Sequence, residues 1–120
     1  MLSHIAILME NQPGALSRVV GLFSQRGYNI DSLSVAPTQD PTLSRLTMTT
    51  SENPEIVNQI LRQLYKLVDV VMVQNLSDAE AYSIELAIIK LISSREKIEK
   101  IISQAKKLEG KILDDKDGHI

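Results

Sequence analysis

Glu10-Asn11-Gln12-Pro13-Gly14-Ala15-Leu16-Ser17-Arg18 is the stretch whose residue types point most directly to chemistry. An alternating apolar run, with Ile5, Ile7 and Met9 set against Ala6 and Leu8, leads straight into Pro13-Gly14, where a helix is expected to begin. Pro13 suits the first turn of that helix, because its missing N–H would have had no partner there. Gly14 has no Cβ and lets another object come close to the backbone. The free N–H groups of the first turn and the positive end of the helix dipole then form a small anion site. Carboxylate and phosphate both fit such a site. The turn lacks the glycine run and the lysine of a nucleotide P-loop, which favours a small carboxylate. A plain strand-to-helix turn without a ligand is the competing reading.

Little else in the chain converges on chemistry. His4 and His119 lie near opposite ends and pair with no nucleophile that spacing identifies, so no catalytic residues are assigned and the chain is not expected to be an enzyme. Asp114, Asp115, Asp117 and His119 are the types that bind a hard cation, but their spacing is not that of an EF-hand loop, and a solvated acidic terminus is expected instead. Arg45, within Thr42-Leu43-Ser44-Arg45-Leu46, reads as either a contact residue or a surface cation.

Composition narrows the class. A chain of 120 residues and 13.4 kDa is long enough for one domain with a core and room for an appendage. Thirteen basic against fifteen acidic residues give a net charge of −2, which is no electrostatic footprint for nucleic acid or for an anionic membrane. The absence of cysteine excludes disulfides and thiolate metal sites. The first residues lack a basic region followed by an apolar segment and a cleavage site, and no apolar run approaches the ~20 residues that span a bilayer. A cytoplasmic protein is the expectation.

The elements that position the Pro-Gly turn can be read in order. Residues 2–10 alternate as a strand. Residues 14–26 place Ala15, Leu16, Val19, Val20, Leu22 and Phe23 at helical spacing, and Gly27 closes that helix. Residues 29–38 and 43–50 alternate again and form a hairpin around Pro37 and Asp40-Pro41. Asn53-Pro54 opens a second helix with Ile56, Val57, Ile60, Leu61, Leu64 and Leu67 on one face, and residues 69–75 form a β-branched strand. The order βαββαβ predicts an α+β, ferredoxin-like domain over residues 1–77, with both helices on one face of an antiparallel sheet. The other face, with Ser32, Ser34 and Thr47, is mixed enough to leave room for a partner.

Residues 78–83 read as a linker. Residues 84–92 then form the most apolar stretch and are expected to be a strand. Ser93 and Glu96 have capping-box spacing; Ile98, Ile101, Ile102, Ala105 and Leu108 follow at helical spacing; Gly110 ends the helix; and Lys111-Ile112-Leu113 begins a last short strand. Residues 84–120 therefore look like an incomplete second βαβ unit. Such a unit is too small to hold a core alone, so strand 84–92 must find another surface. RNA binding is the main rival for a βαββαβ order, but strands 2–10 and 43–50 carry no aromatic residue on which a base would stack. Nucleic acid is not an expected partner.

Taken together, Asn11 to Val19, Gly21-Leu22-Phe23-Ser24-Gln25-Arg26-Gly27-Tyr28-Asn29-Ile30, Leu33-Ser34-Val35-Ala36-Pro37-Thr38, Leu43 to Thr47 and Lys66 to Val70 closely resemble the small regulatory subunit of acetolactate synthase (acetohydroxyacid synthase). The resemblance is dense over the first 77 residues and looser beyond. It implies an ACT domain, a βαββαβ module that binds amino acids. It further implies self-association of two such domains, valine bound between them as feedback effector of branched-chain amino acid synthesis, and activation of a large catalytic subunit. That large subunit holds thiamine diphosphate, FAD and magnesium; this chain is expected to bind no cofactor. By position, Asn11 and the N–H groups from Gly14 to Ala15 would hold the effector's carboxylate. Asn29 and Ile30 of the neighbouring copy would flank its amino group and side chain, and Ala36 would keep the nearby strand small. Two departures from the family pattern are Pro13, which removes one donor, and the half-present second domain. A free-standing ACT-type amino-acid sensor is the alternative reading.

Overall fold

Alternation of apolar residues builds the sheet. In a computed structural model that describes residues 2–77 and 80–114, β1 (Ser3–Glu10), β2 (Ser32–Pro37), β3 (Leu43–Thr50) and β4 (Val70–Asn75) form one antiparallel sheet in the order β2-β3-β1-β4. Ile5, Ile7 and Met9 of β1 lie opposite Met48, Leu46 and Ser44 of β3, and all six are buried. Their even-numbered neighbours face the other way, as the two-residue period of a strand requires.

Two helices cover the buried face. α1 (Ala15–Arg26) contributes Ala15, Val19 and Phe23, and α2 (Pro54–Tyr65) contributes Val57, Ile60 and Leu64, to one cluster with Ile5, Ile7, Leu46, Met48 and Val73. Asn53 caps α2 as expected: its Oδ1 accepts from the Ile56 N–H at 2.9 Å, with Pro54 in the first position. Gly27 caps α1 at φ 69°, the left-handed conformation that glycine adopts without a Cβ penalty. The expected ferredoxin-like α+β fold is therefore present. Ser32, Ser34 and Thr47 are exposed on the face away from the helices.

One expectation at the start of α1 is corrected. Pro13 is not in the first helical turn: Gly14 is the N-cap, at φ 84°, and the helix begins at Ala15. A residue with positive φ cannot continue a right-handed helix, so the chain turns at Gly14 and Pro13 is displaced to the loop before it.

The chain divides into two compact units, Met1–Tyr82 and Ser83–Ile120. In the second, the regular element is α3 (Arg95–Lys107), with Ile98 buried. Among the described residues, the strands expected on either side of it do not form: residues 80–91 and 110–114 take no regular structure, and Ile92 forms only an isolated bridge. Ile84, Leu86 and Ile88 are accordingly 93%, 92% and 78% exposed. Two details of α3 also differ. Its N-cap is Ser94, without a side-chain cap, rather than Ser93; and the helix ends at Lys107, three residues before Gly110, with Glu109 left-handed at φ 58°. The acidic residues Asp115 and Asp117, and His119, lie outside the described residues, as do two positions of the expected linker, 78 and 79. Among the described residues, no helix is long and apolar enough to cross a membrane.

Candidate functional site

The Asn11–Ala15 turn sits where β1 hands over to α1. Gln12 N–H donates to the Glu10 carbonyl at 3.0 Å and Ala15 N–H to the Gln12 carbonyl at 3.2 Å, which folds the turn tightly. Arg18 N–H then reaches the Gly14 carbonyl at 3.0 Å and starts the helical ladder. Between them, the N–H groups of Gly14, Leu16 and Ser17 have no hydrogen-bond partner among the described residues. The first turn of α1 carries no acidic side chain to neutralise the positive end of its dipole. Of the two N–H groups assigned to the anion site by resemblance, Gly14 is therefore free, whereas Ala15 already serves the turn.

Arg18 stands beside this turn. Its Nε donates to Asp69 Oδ2 and its Nη2 to Asp69 Oδ1 at 3.0 Å, a two-pronged pair in which the arginine side chain is 48% exposed and the aspartate 4%. Asp69 is further anchored by its carbonyl, which accepts the Glu10 N–H at 2.8 Å. A Cβ added to Gly14 would lie 2.8 Å from Arg18 Nη1. The arginine thus leans over the glycine, and an open groove of about 440 Å³ lined by Gly14, Ser17, Arg18, Gly21, Leu22 and Leu67 runs along the helix from there. Sequence reasoning missed this pair: its members are 51 positions apart, and nothing local marks either as the other's partner.

The hydrogen bonds from Arg18 hold the Asp69 carboxyl below its ordinary range, and the same bonds raise the arginine. A carboxyl depressed in the folded state adds stability that is fully present above its unfolded pKa and is lost as pH falls through the folded value. Wild-type protein is therefore expected to melt higher than Asp69→Asn at pH 7. That advantage shrinks as pH falls through the acidic range. Thermal melts of both proteins from pH 7 to pH 2 check it, and a gap that stays constant with pH would remove Asp69 as its source.

The other candidate residues separate into two places. Asn11 is exposed; its N–H donates to the Thr42 carbonyl at 2.8 Å and its Nδ2 to the Pro41 carbonyl at 3.0 Å. Ala36, exposed on β2, lies opposite Arg45 one pair from the end of the β2–β3 ladder, so it shares the Asn11 end of the sheet. Asn29 and Ile30 lie at the other end. The Asn29 carbonyl accepts from Thr50 Oγ1 at 2.8 Å, and Thr50 is paired with Ser3, the first residue of β1. Asn29 Nδ2 donates to Asp31 Oδ1 at 3.0 Å, and Ile30 packs half-buried on the core. β1 spans 8 residues, so at ~3.4 Å per residue these two ends are about 24 Å apart. One chain does not bring Asn11 and Asn29 together.

Arg45 is exposed on the open face, in register between Leu8 and Ala36. His4 is half-buried in β1. No cluster of three or more His, Cys, Asp or Glu side chains suited to a metal occurs among the described residues.

Comparison with known proteins agrees with this architecture. Residues 5–72 match the model of the AHAS small subunit-like ACT domain. The chain is 46% identical over 110 residues to the acetolactate synthase isozyme 3 small subunit of Escherichia coli, covering 92% of this chain and 68% of that protein. It is 51% identical over 100 residues to the acetolactate synthase small subunit of Haemophilus influenzae, covering 81% and 61%. In three dimensions it is similar to the acetolactate synthase small subunit of Thermotoga maritima, with a TM-score of 0.80 at 27% identity over 99% of this chain and 74% of that one. The ACT domain from a Chlorobium tepidum GTP pyrophosphokinase shares the fold, with a TM-score of 0.55 at 22% identity over 68% of this chain and 92% of that one. The chain thus belongs to the acetolactate synthase small-subunit family and carries its ACT domain.

Proposed function

We propose that this chain is a non-catalytic regulatory subunit: it binds the large catalytic subunit of acetolactate synthase, raises its activity, and senses valine for feedback control. The observation that carries this reading is the Gly14 turn, with unpartnered N–H groups on an uncompensated helix start, in a chain of this family. The charged end of the amino acid fits against the Asn11–Ala15 turn. Asn29 and Ile30, about 24 Å away in the same chain, then reach it only from a second copy. β2 supports such a pairing. It is an edge strand, exposed along its whole length, with Leu33 and Val35 uncovered on the side where Leu46 and Met48 are buried. Two β2 strands joined antiparallel about a two-fold axis place the start of one beside the end of the other. That brings the partner copy's Asn29 end to the end that carries Ala36 and Asn11.

The test is reconstitution. The chain alone is expected to convert no pyruvate to acetolactate, to be retained by a cognate large subunit in a pull-down, and to raise that subunit's turnover, with valine lowering it. Turnover by the isolated chain, or no effect on the large subunit, would overturn the assignment. Valine binding without any association would favour the free-standing sensor.

A further inference from the structure

The tip of the β2–β3 hairpin is wired by Asp40. Its Oδ1 accepts from the Thr42 N–H at 2.9 Å and from the Thr42 hydroxyl at 2.6 Å, and these bonds keep its carboxyl below the ordinary range. Its backbone carbonyl accepts from the Leu43 N–H at 3.0 Å and from the Thr38 hydroxyl at 2.9 Å, and the Thr38 N–H reaches the Leu43 carbonyl at 2.9 Å. Residues 38–43 are therefore held as one piece, an aspartate-stabilised turn. Two carbonyls of that piece, Pro41 and Thr42, take the side-chain and backbone N–H groups of Asn11.

A carbonyl offers no proton, so only the NH₂ side of the Asn11 amide can face Pro41. That sets the rotation of the amide. Oδ1 is left on the opposite side as an acceptor, with no partner among the described residues. An acceptor attracts an ammonium group and repels a carboxylate. The adjoining turn has the reverse polarity, through the N–H groups of Gly14, Leu16 and Ser17. An α-amino acid carries both charged groups on one carbon and matches two such neighbours at once.

We propose that the hairpin tip, through Asp40, sets Asn11 as the acceptor for the ligand's ammonium group, leaving the carboxylate to the α1 turn. This rests on the amino-acid-binding reading above, and it gives Asn11 the ammonium group in place of the carboxylate that the resemblance implies, because its NH₂ is taken by the Pro41 carbonyl. Asp40 is then a positioning residue: it touches no ligand and acts through Pro41 and Asn11.

Calorimetry or NMR titration of the full chain with valine, and with 3-methylbutanoate (valine without its ammonium), separates the possibilities. Asp40→Ala is expected to weaken valine about tenfold, the size of a lost hydrogen bond to a charged group, while 3-methylbutanoate binding stays as in wild type. Asp40→Asn, whose side-chain oxygen makes the same turn, restores valine binding. A ligand-free readout is the Asn11 side-chain amide. Its two protons are expected to be distinct in wild type, and to exchange faster and converge in shift in Asp40→Ala but not in Asp40→Asn. Equal weakening of both ligands, or an Asn11 amide unmoved in Asp40→Ala, overturns the inference alone. A wild-type chain that binds neither ligand overturns the reading beneath it as well.

Discussion

Gly14→Asp is expected to lower valine affinity about a thousandfold while leaving a folded protein. The new carboxylate would stand within about 4 Å of the effector's own, and at an effective dielectric of ~20 that repulsion is about 4 kcal/mol. Geometry adds to it. Gly14 has φ 84°, and a Cβ there would press on Arg18 Nη1, displacing the guanidinium that leans over the turn. Aspartate tolerates the left-handed conformation better than most residues, and the turn lies at the surface, so the melt should remain cooperative. Gly14→Ala separates the two effects, because it introduces the crowding without the charge. Calorimetry decides: valine binding that is unchanged in Gly14→Asp would remove the turn from the site.

The largest effect on stability is expected from Phe23→Ala. Phe23 is 1% exposed, meets Tyr28 edge-on with ring centroids 6.3 Å apart, and sits in the cluster that joins α1 to the sheet. Truncating a buried phenylalanine costs about 3–5 kcal/mol. Domains of this size are stable by only ~5–15 kcal/mol, so about a fifth or more of the total would go. At ~4–8 °C per kcal/mol, the melting temperature of the first unit should fall by at least about 12 °C. A fall of only a few degrees would mean that the cavity collapses and that helix and sheet re-pack around it.

Most of the first unit is legible in the chain because its signals are local. Ile5, Ile7 and Met9 alternate, Asn53-Pro54 announces a cap, and Gly27 a helix end; each feature depends on neighbours within four residues. The site was legible only in part. The Pro-Gly turn was visible, but not that Gly14 rather than Pro13 would flank the first helical residue, since that depends on a backbone angle. The turn at Asp40-Pro41 was visible too, whereas the bonds from Asn11 to Pro41 and from Arg18 to Asp69 join residues 30 and 51 apart and leave no periodic trace. The second unit shows the opposite failure. Residues 84–92 have the composition of a strand, yet a strand needs a neighbour, and composition does not supply one.

The distance between Asn11 and Asn29 has a bearing on how such a sensor would report. If each site takes its two ends from different copies, an isolated chain holds two halves of two different sites and no whole one. Ligand binding and chain association then become a single linked equilibrium, in which effector drives pairing as much as pairing admits effector. Half-saturation would shift with protein concentration. A chain defective at Asn11 mixed with one defective at Asn29 would rebuild one intact site in every mixed pair, so that two silent proteins regain a response when combined.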